Sequence, residues 1–164
     1  MGNALAMLRL RYDRDEGRAM AAKIAECMRD AAYTASIALG KEKGVFPKFE
    51  AEGYLAPGTS ASRLPASLQQ TIRSHGLRNS HLLSIAPTGT VSLAFADTAS
   101  NGIEPSFSWT YLRKKREANG SMREYPVEDH AWRLYRELGG NVDALPDYFV
   151  SALAMPAAWP RRTC

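Results

Sequence analysis

The feature that most constrains this chain is a short apolar run, His81-Leu82-Leu83-Ser84-Ile85-Ala86, halted by Pro87-Thr88-Gly89-Thr90. The run does not alternate between apolar and polar residues. That suits a strand covered on both faces, as in a parallel sheet between helices, rather than a strand with one wet face. The chain therefore reads as α/β. Its 164 residues suffice for one domain with a core. Hydrophobic residues make up 45% and charged residues 23%, which excludes a disordered tail, a collagen-like fibre and a disulfide scaffold. No apolar stretch approaches the length of a membrane span. The first residues lack the basic and apolar blocks of a signal peptide, so a cytoplasmic protein with no membrane partner is expected. A net charge of +4 does not by itself point to nucleic acid. Cys27 and Cys164 form neither a CxxC pair nor a zinc spacing. Cys27 falls inside a helical pattern and is expected to be a buried, reduced thiol.

The rest of the chain supplies helices and a hairpin. Met20, Ile24, Met28, Ala31, Ala35 and Leu39 recur at three- and four-residue steps, predicting a helix over 14–39 that Gly40 closes. Its alanine-rich face suits close approach by a neighbour. Residues 44–65 are rich in breakers and read as an irregular loop pinned by Phe46, Phe49 and Tyr54. A short helix is predicted from Pro65 to about residue 74. Alternation of Phe107, Trp109 and Tyr111 predicts a strand over 107–112. Asn119-Gly120 marks a hairpin turn, with a return strand over 122–125. A helix is predicted over 126–138, with Ala131, Leu134, Tyr135 and Leu138 as its apolar stripe, and another from residue 147.

Chemistry concentrates between residues 79 and 105. Gly89 lets a ligand approach the backbone, and the hydroxyls of Thr88, Thr90 and Ser92 surround it. If a helix opens there, its free N–H groups form an anion site suited to phosphate. No lysine lies in the loop, so it is not a GxxxxGK[ST] loop. An ordinary capped strand-to-helix turn has the same residues, and local chemistry leaves both readings open. Glu104, between a glycine, an isoleucine and a proline, either projects into a site or is a solvated turn carboxylate. His75, His81 and His130 lack metal spacing. The run Arg113-Lys114-Lys115-Arg116 reads as a solvated sheet edge rather than a nucleic-acid surface.

At these residues the chain resembles a known family. Gly76-Leu77-Arg78-Asn79-Ser80-His81 and the run through Ile85-Ala86-Pro87-Thr88-Gly89-Thr90-Val91-Ser92 resemble the catalytic subunit of vitamin B12-dependent (class II) ribonucleotide reductases. So do Ser100-Asn101-Gly102-Ile103-Glu104-Pro105 with the segment after it, Leu10-Arg11-Tyr12-Asp13 and Lys43-Gly44-Val45-Phe46-Pro47. The resemblance implies a partial segment, residues 1–154, of the ten-stranded ribonucleotide reductase α/β barrel, followed by a divergent tail, 155–164, expected to be disordered. It implies reduction of ribonucleoside diphosphates to deoxyribonucleotides by thiyl-radical chemistry, with adenosylcobalamin in the complete enzyme. It carries substrate-phosphate binding onto Pro87, Thr88, Gly89, Thr90, Val91 and Ser92, and active-site lining onto Asn79 and Glu104. The partners implied are the ribonucleoside diphosphate, the remainder of the barrel and a second subunit in a homodimer, without direct nucleic-acid binding.

The departures are as informative. The family's radical cysteine lies in an Asn-x-Cys-x-Glu pattern, which this chain lacks, and its redox cysteines have no counterparts here. No catalytic and no metal-ligating residue is therefore assigned, and the chain alone is expected to be inactive. The alternative is a free-standing module that binds nucleotide phosphates without catalysis.

Overall fold

The computed structural model describes residues 1–87, 89, 91 and 103–155. It divides into one unit formed by Met1–Ala21 with Ile85–Cys164 and another formed by Ala22–Ser84. Among the described residues the elements are α1 (Gly2–Met7), α2 (Asp15–Lys43), α3 (Ala51–Tyr54), α4 (Ala66–His75), β1 (Thr110–Arg116), β2 (Met122–Glu128) and α5 (His130–Glu137). Short 3₁₀ turns lie at Ala61–Arg63 and Ala152–Ala154.

The Ala22–Ser84 unit has its own core of Ile37, Leu55, Ala61, Leu64, Ile72 and Leu77. Phe46, Phe49 and Tyr54 pack against it and on one another, with ring centroids 5.3 to 6.1 Å apart. These aromatics pin the breaker-rich segment as expected, although α3 and a 3₁₀ turn interrupt it. Helix α2 runs past Gly40 to Lys43, and Gly44, at φ 82, takes the left-handed position instead. Gly40 is buried within the helix, where a Cβ would press on the Arg78 nitrogen at 3.3 Å. The face of α2 turned to this core carries Ser36, Ile37 and Gly40. The predicted stripe is not the buried one: Met28 is 57% exposed, and Ala31, Ala35 and Leu39 are exposed too. Cys27 is likewise exposed, not buried. The periodicity was a true helix signal, but which face is covered depends on what packs against it.

Helix α4 matches its sequence signature, with Pro65 at its N-cap and Gly76 after His75. Residues 81–87, expected to be a buried strand, have no regular secondary structure. Leu83 and Ile85 are 52% and 79% exposed. A strand buried on both faces needs ladder partners and cover on both sides, and no described residue pairs with this run.

In the other unit, α1 packs against α5, burying Leu5, Ala6 and Ala131. Phe149 gathers Trp109, Tyr135 and Tyr148 at centroid distances of 4.9 to 5.2 Å. Strands β1 and β2 form a two-stranded antiparallel sheet, Thr110 facing Glu128 and Arg116 facing Met122. The turn at Asn119-Gly120 is as expected. Gly120 alone in it has positive φ, at 84, and its N–H donates to the Glu117 carbonyl at 2.9 Å. That is a type I turn closed by a left-handed glycine. Strand β1 starts at Thr110, later than expected, and β2 continues to Glu128. Helix α5 consequently starts at His130, not at residue 126, because residues 126–128 are held in the ladder. Leu138 lies beyond the helix and is 78% exposed, so only Ala131 of the expected stripe is fully buried. No α-helix starts at residue 147; a 3₁₀ turn follows at Ala152–Ala154.

Candidate functional site

The segment leading to residues 87–92 is anchored within the Ala22–Ser84 unit. Gly76 has φ 70 and ψ −169, a region open essentially to glycine alone. This bend carries the chain out of α4 and buries Leu77 completely. The Leu77 carbonyl accepts from the Phe46 N–H at 2.9 Å, and the Arg78 N–H donates to the Ser36 carbonyl at 3.1 Å. The Arg78 guanidinium donates to the carbonyls of Lys43 and Gly44, both at 3.3 Å. A cation on the last carbonyls of α2 suits the negative end of the helix dipole.

Asn79 and the buried Ser36 exchange two hydrogen bonds at 3.1 Å. The Ser36 hydroxyl donates to Asn79 Oδ1, and the Asn79 N–H donates to Ser36 Oγ. Here Asn79 fastens the segment to α2. The Tyr54 hydroxyl donates to the Ser80 carbonyl at 3.4 Å. Burial first, and then hydrogen bonding with Tyr33, pushes the Tyr54 phenol well above its ordinary value.

Beside this anchor lies an open cleft of about 500 Å³ lined by Arg29, Tyr33, Tyr54, Ser80 and His81. It is a poor anion site. Arg29 donates to Asp30 at 2.6 Å and to Glu26 at 3.4 Å, so its charge is already matched.

Of the turn itself, Pro87, Gly89 and Val91 are described; Thr88, Thr90 and Ser92 lie outside the described residues. Pro87 is exposed and has no regular secondary structure, while Gly89 and Val91 have helical backbone. Among the described residues, a Cβ placed on Gly89 meets nothing within 4 Å, and Val91 is 54% exposed. Glu104 is half-buried, in the same unit as the turn. Its charge helps to raise the Tyr12 phenol, behind the larger effect of burial. Close by, Arg11 grips Asp13 through Nε and Nη2, both at 2.9 Å, and holds that carboxyl below its ordinary value.

Sequence reasoning missed one polar node in this unit. Ser106 and Asp129 are both 0% exposed, and the Ser106 hydroxyl donates to Asp129 Oδ2 at 2.7 Å. The other carboxylate oxygen caps α5 by accepting from the Ala131 N–H at 3.0 Å. The signal available was an aspartate just ahead of a helical stripe. Its buried partner, 23 residues earlier, had none.

Comparison with known proteins settles what kind of chain this is. The family model "Ribonucleotide reductase, barrel domain" matches residues 1–145. The chain belongs to the ribonucleotide reductase barrel-domain family. A vitamin B12-dependent ribonucleoside-diphosphate reductase of Mycobacterium tuberculosis is 34% identical over 113 residues, covering 69% of this chain and 14% of the relative. The alpha subunit of the Treponema pallidum ribonucleoside-diphosphate reductase is 30% identical over 119 residues, covering 70% and 14%. The alpha subunit of reductase 1 of Escherichia coli is 31% identical over 150 residues, covering 80% and 19%. This reductase barrel segment thus spans under a fifth of the length of these relatives. Among its described residues, no cluster of His, Cys, Asp and Glu could hold a metal ion. No described helix is long and apolar enough to cross a membrane.

Proposed function

We propose that this chain supplies the substrate-phosphate turn of a cytoplasmic ribonucleoside-diphosphate reductase. In this reading Pro87, Thr88, Gly89, Thr90, Val91 and Ser92 hold the diphosphate of a ribonucleotide. The observation that carries it is the helical backbone at Gly89 and Val91 after the break at Pro87, with no described atom within 4 Å of where a Gly89 Cβ would stand. If a helix opens at this turn, its first N–H groups would favour a bound phosphate. Glu104, in the same unit as the turn, is proposed to line its site, and Asn79 to line the active site of the complete enzyme. Asn79 would do so with its amide nitrogen, since Oδ1 is engaged by Ser36.

Isothermal titration calorimetry with a nucleoside diphosphate tests the turn. Saturable heat is expected from the wild-type chain and about tenfold weaker binding from Gly89→Val, because the added side chain fills the space that phosphate would take. Equal heats from both would remove the proposal.

The radical step belongs to parts of the reductase that this chain does not span. The described residues do not fit adenosylcobalamin or a thiyl radical: Cys27 is exposed in the middle of α2, between Glu26 and Met28. The chain by itself therefore binds and positions but does not reduce, and it works joined to the remainder of the barrel in a homodimeric enzyme. Deoxynucleotide formation by the purified chain with adenosylcobalamin and a dithiol would overturn this part.

A further inference from the structure

The two outer edges of the β1–β2 sheet are guarded differently. The Glu117 N–H donates to the Ser121 carbonyl and the Asp129 N–H to the Trp109 carbonyl, each within 2.9 Å. These bonds bracket the ladder and fix its parity. Tyr111, Arg113 and Lys115 turn their backbone groups toward β2. Thr110, Leu112, Lys114 and Arg116 turn theirs outward. On β2 the outward positions are Met122, Glu124, Pro126 and Glu128, following the register Leu112 to Pro126. Pro126 has no N–H, so the β2 edge is blocked to a further strand. The outward Thr110 carbonyl accepts from the Ser108 hydroxyl at 2.6 Å, whereas no described strand pairs with the outward groups of Leu112, Lys114 and Arg116.

Charge divides the two faces in the same way. On one face Lys114 pairs with Glu124 at 3.3 Å, and Glu128 takes both ends of the Arg136 fork at 2.7 and 2.9 Å. On the other, Arg113, Lys115 and Arg123 have no carboxylate partner among the described residues, and Lys115 stands directly opposite Arg123. The arginines are held over tyrosine rings, Arg113 at 5.8 Å from the Tyr111 centroid and Arg123 at 5.1 Å from that of Tyr125. Glu117, the acid at the end of this face, already accepts from the Tyr125 hydroxyl at 2.7 Å. Like charges placed opposite each other destabilise a hairpin, and an anionic neighbour relieves them.

We propose that the outer edge of β1 is a docking site for an extended acidic segment of a protein partner, added as a third, charge-matched strand. Carboxylates at alternate positions meet Arg113 and Lys115, while the residues between them cover Leu112, which is 60% exposed. A second copy of β1 is rejected by the same charges. A nucleic acid would use the cationic face without needing the edge N–H groups, which separates the two occupants experimentally.

The test uses the 164-residue chain and a fluorescein-labelled peptide alternating glutamate and valine, matched to the 7 residues of β1. Anisotropy is expected to show binding that weakens with salt. The R113E/K115E chain should bind about tenfold more weakly or worse. A peptide N-methylated on the residues that face the edge should lose about as much, because its ladder donors are gone. Leu112→Pro removes one outward N–H, as Pro126 does across the sheet, and should weaken binding by about twofold to tenfold. Amide exchange at Leu112 and Lys114 should slow in the complex. No binding at low salt, full binding of the N-methylated peptide, or tighter binding of an oligothymidylate that displaces the peptide would each overturn the proposal.

Discussion

Replacing Gly76 by alanine puts the anchor of the site under the most direct strain. Two costs add. The first is conformational: φ 70 with ψ −169 lies in a region that non-glycine residues avoid, at about 1–3 kcal/mol. The chain cannot relax out of it. The Gly76 N–H is bonded to the Ile72 carbonyl at 2.8 Å on one side, and Leu77 is fully buried on the other. The second cost is steric. The new Cβ would overlap Val45 Cγ1 and touch the Phe49 ring at 3.2 Å. Val45 is 42% exposed and can turn away, so this part sits near the low end of overpacking costs, about 1 kcal/mol. The expected loss is about 3 kcal/mol, or roughly a hundredfold in the folding equilibrium. All three tryptophans lie outside Ala22–Ser84, so fluorescence does not report on this unit. Hydrogen exchange at the Phe46 amide, which is bonded to Leu77, does. Adding Val45→Ala to Gly76→Ala should recover about 1 kcal/mol and no more, because only the steric part is relieved. A Gly76→Ala chain within about 0.5 kcal/mol of wild type would refute the reasoning.

Alkaline pH should loosen the same unit. The folded-state pKa of Tyr54 is raised above the ordinary 10.0, so its contribution is complete below that value and is lost as pH rises through the folded pKa. Thermal melts by circular dichroism above about pH 9 should fall more steeply for wild type than for Tyr54→Phe, and parallel curves would count against the assignment. In the other unit, Ser106→Ala should cost about 1–3 kcal/mol by leaving a buried carboxylate oxygen short of a donor, and Asp129→Ala should cost more because the α5 cap goes as well. Urea titrations followed by Trp109 and Trp132 fluorescence check the order; the reverse order would show that the Ser106 bond is the main support.

Much of the local structure was legible because it depends on neighbours in sequence. Pro65 and Gly76 bracket α4, and Asn119-Gly120 turns the hairpin, since backbone conformation there is set by residues with unusual φ preferences. The end of α2 was misread at Gly40 because that glycine serves close approach to residues 77 and 78, a contact made across the fold. The start of α5 was misread because ladder pairing with Thr110 and Leu112 outweighs a proline that could equally open a helix. The anchoring role of Asn79 was not legible in the sequence. Its bond to Ser36, 43 residues away, left no local trace.

The family and the elements whose signals are local were set by the sequence alone. Only the tertiary structure decided which face of α2 is covered, what Asn79 grips, that Ser106 and Asp129 form a buried pair, and which edge of the hairpin stays open. The reason is physical. Propensity and capping act over one turn of chain, whereas burial and hydrogen-bond partnership are set by segments far apart in sequence. The run 81–86 shows the boundary between the two: its apolar residues read locally as a strand covered on both faces, but it has no regular secondary structure and Leu83 and Ile85 are exposed.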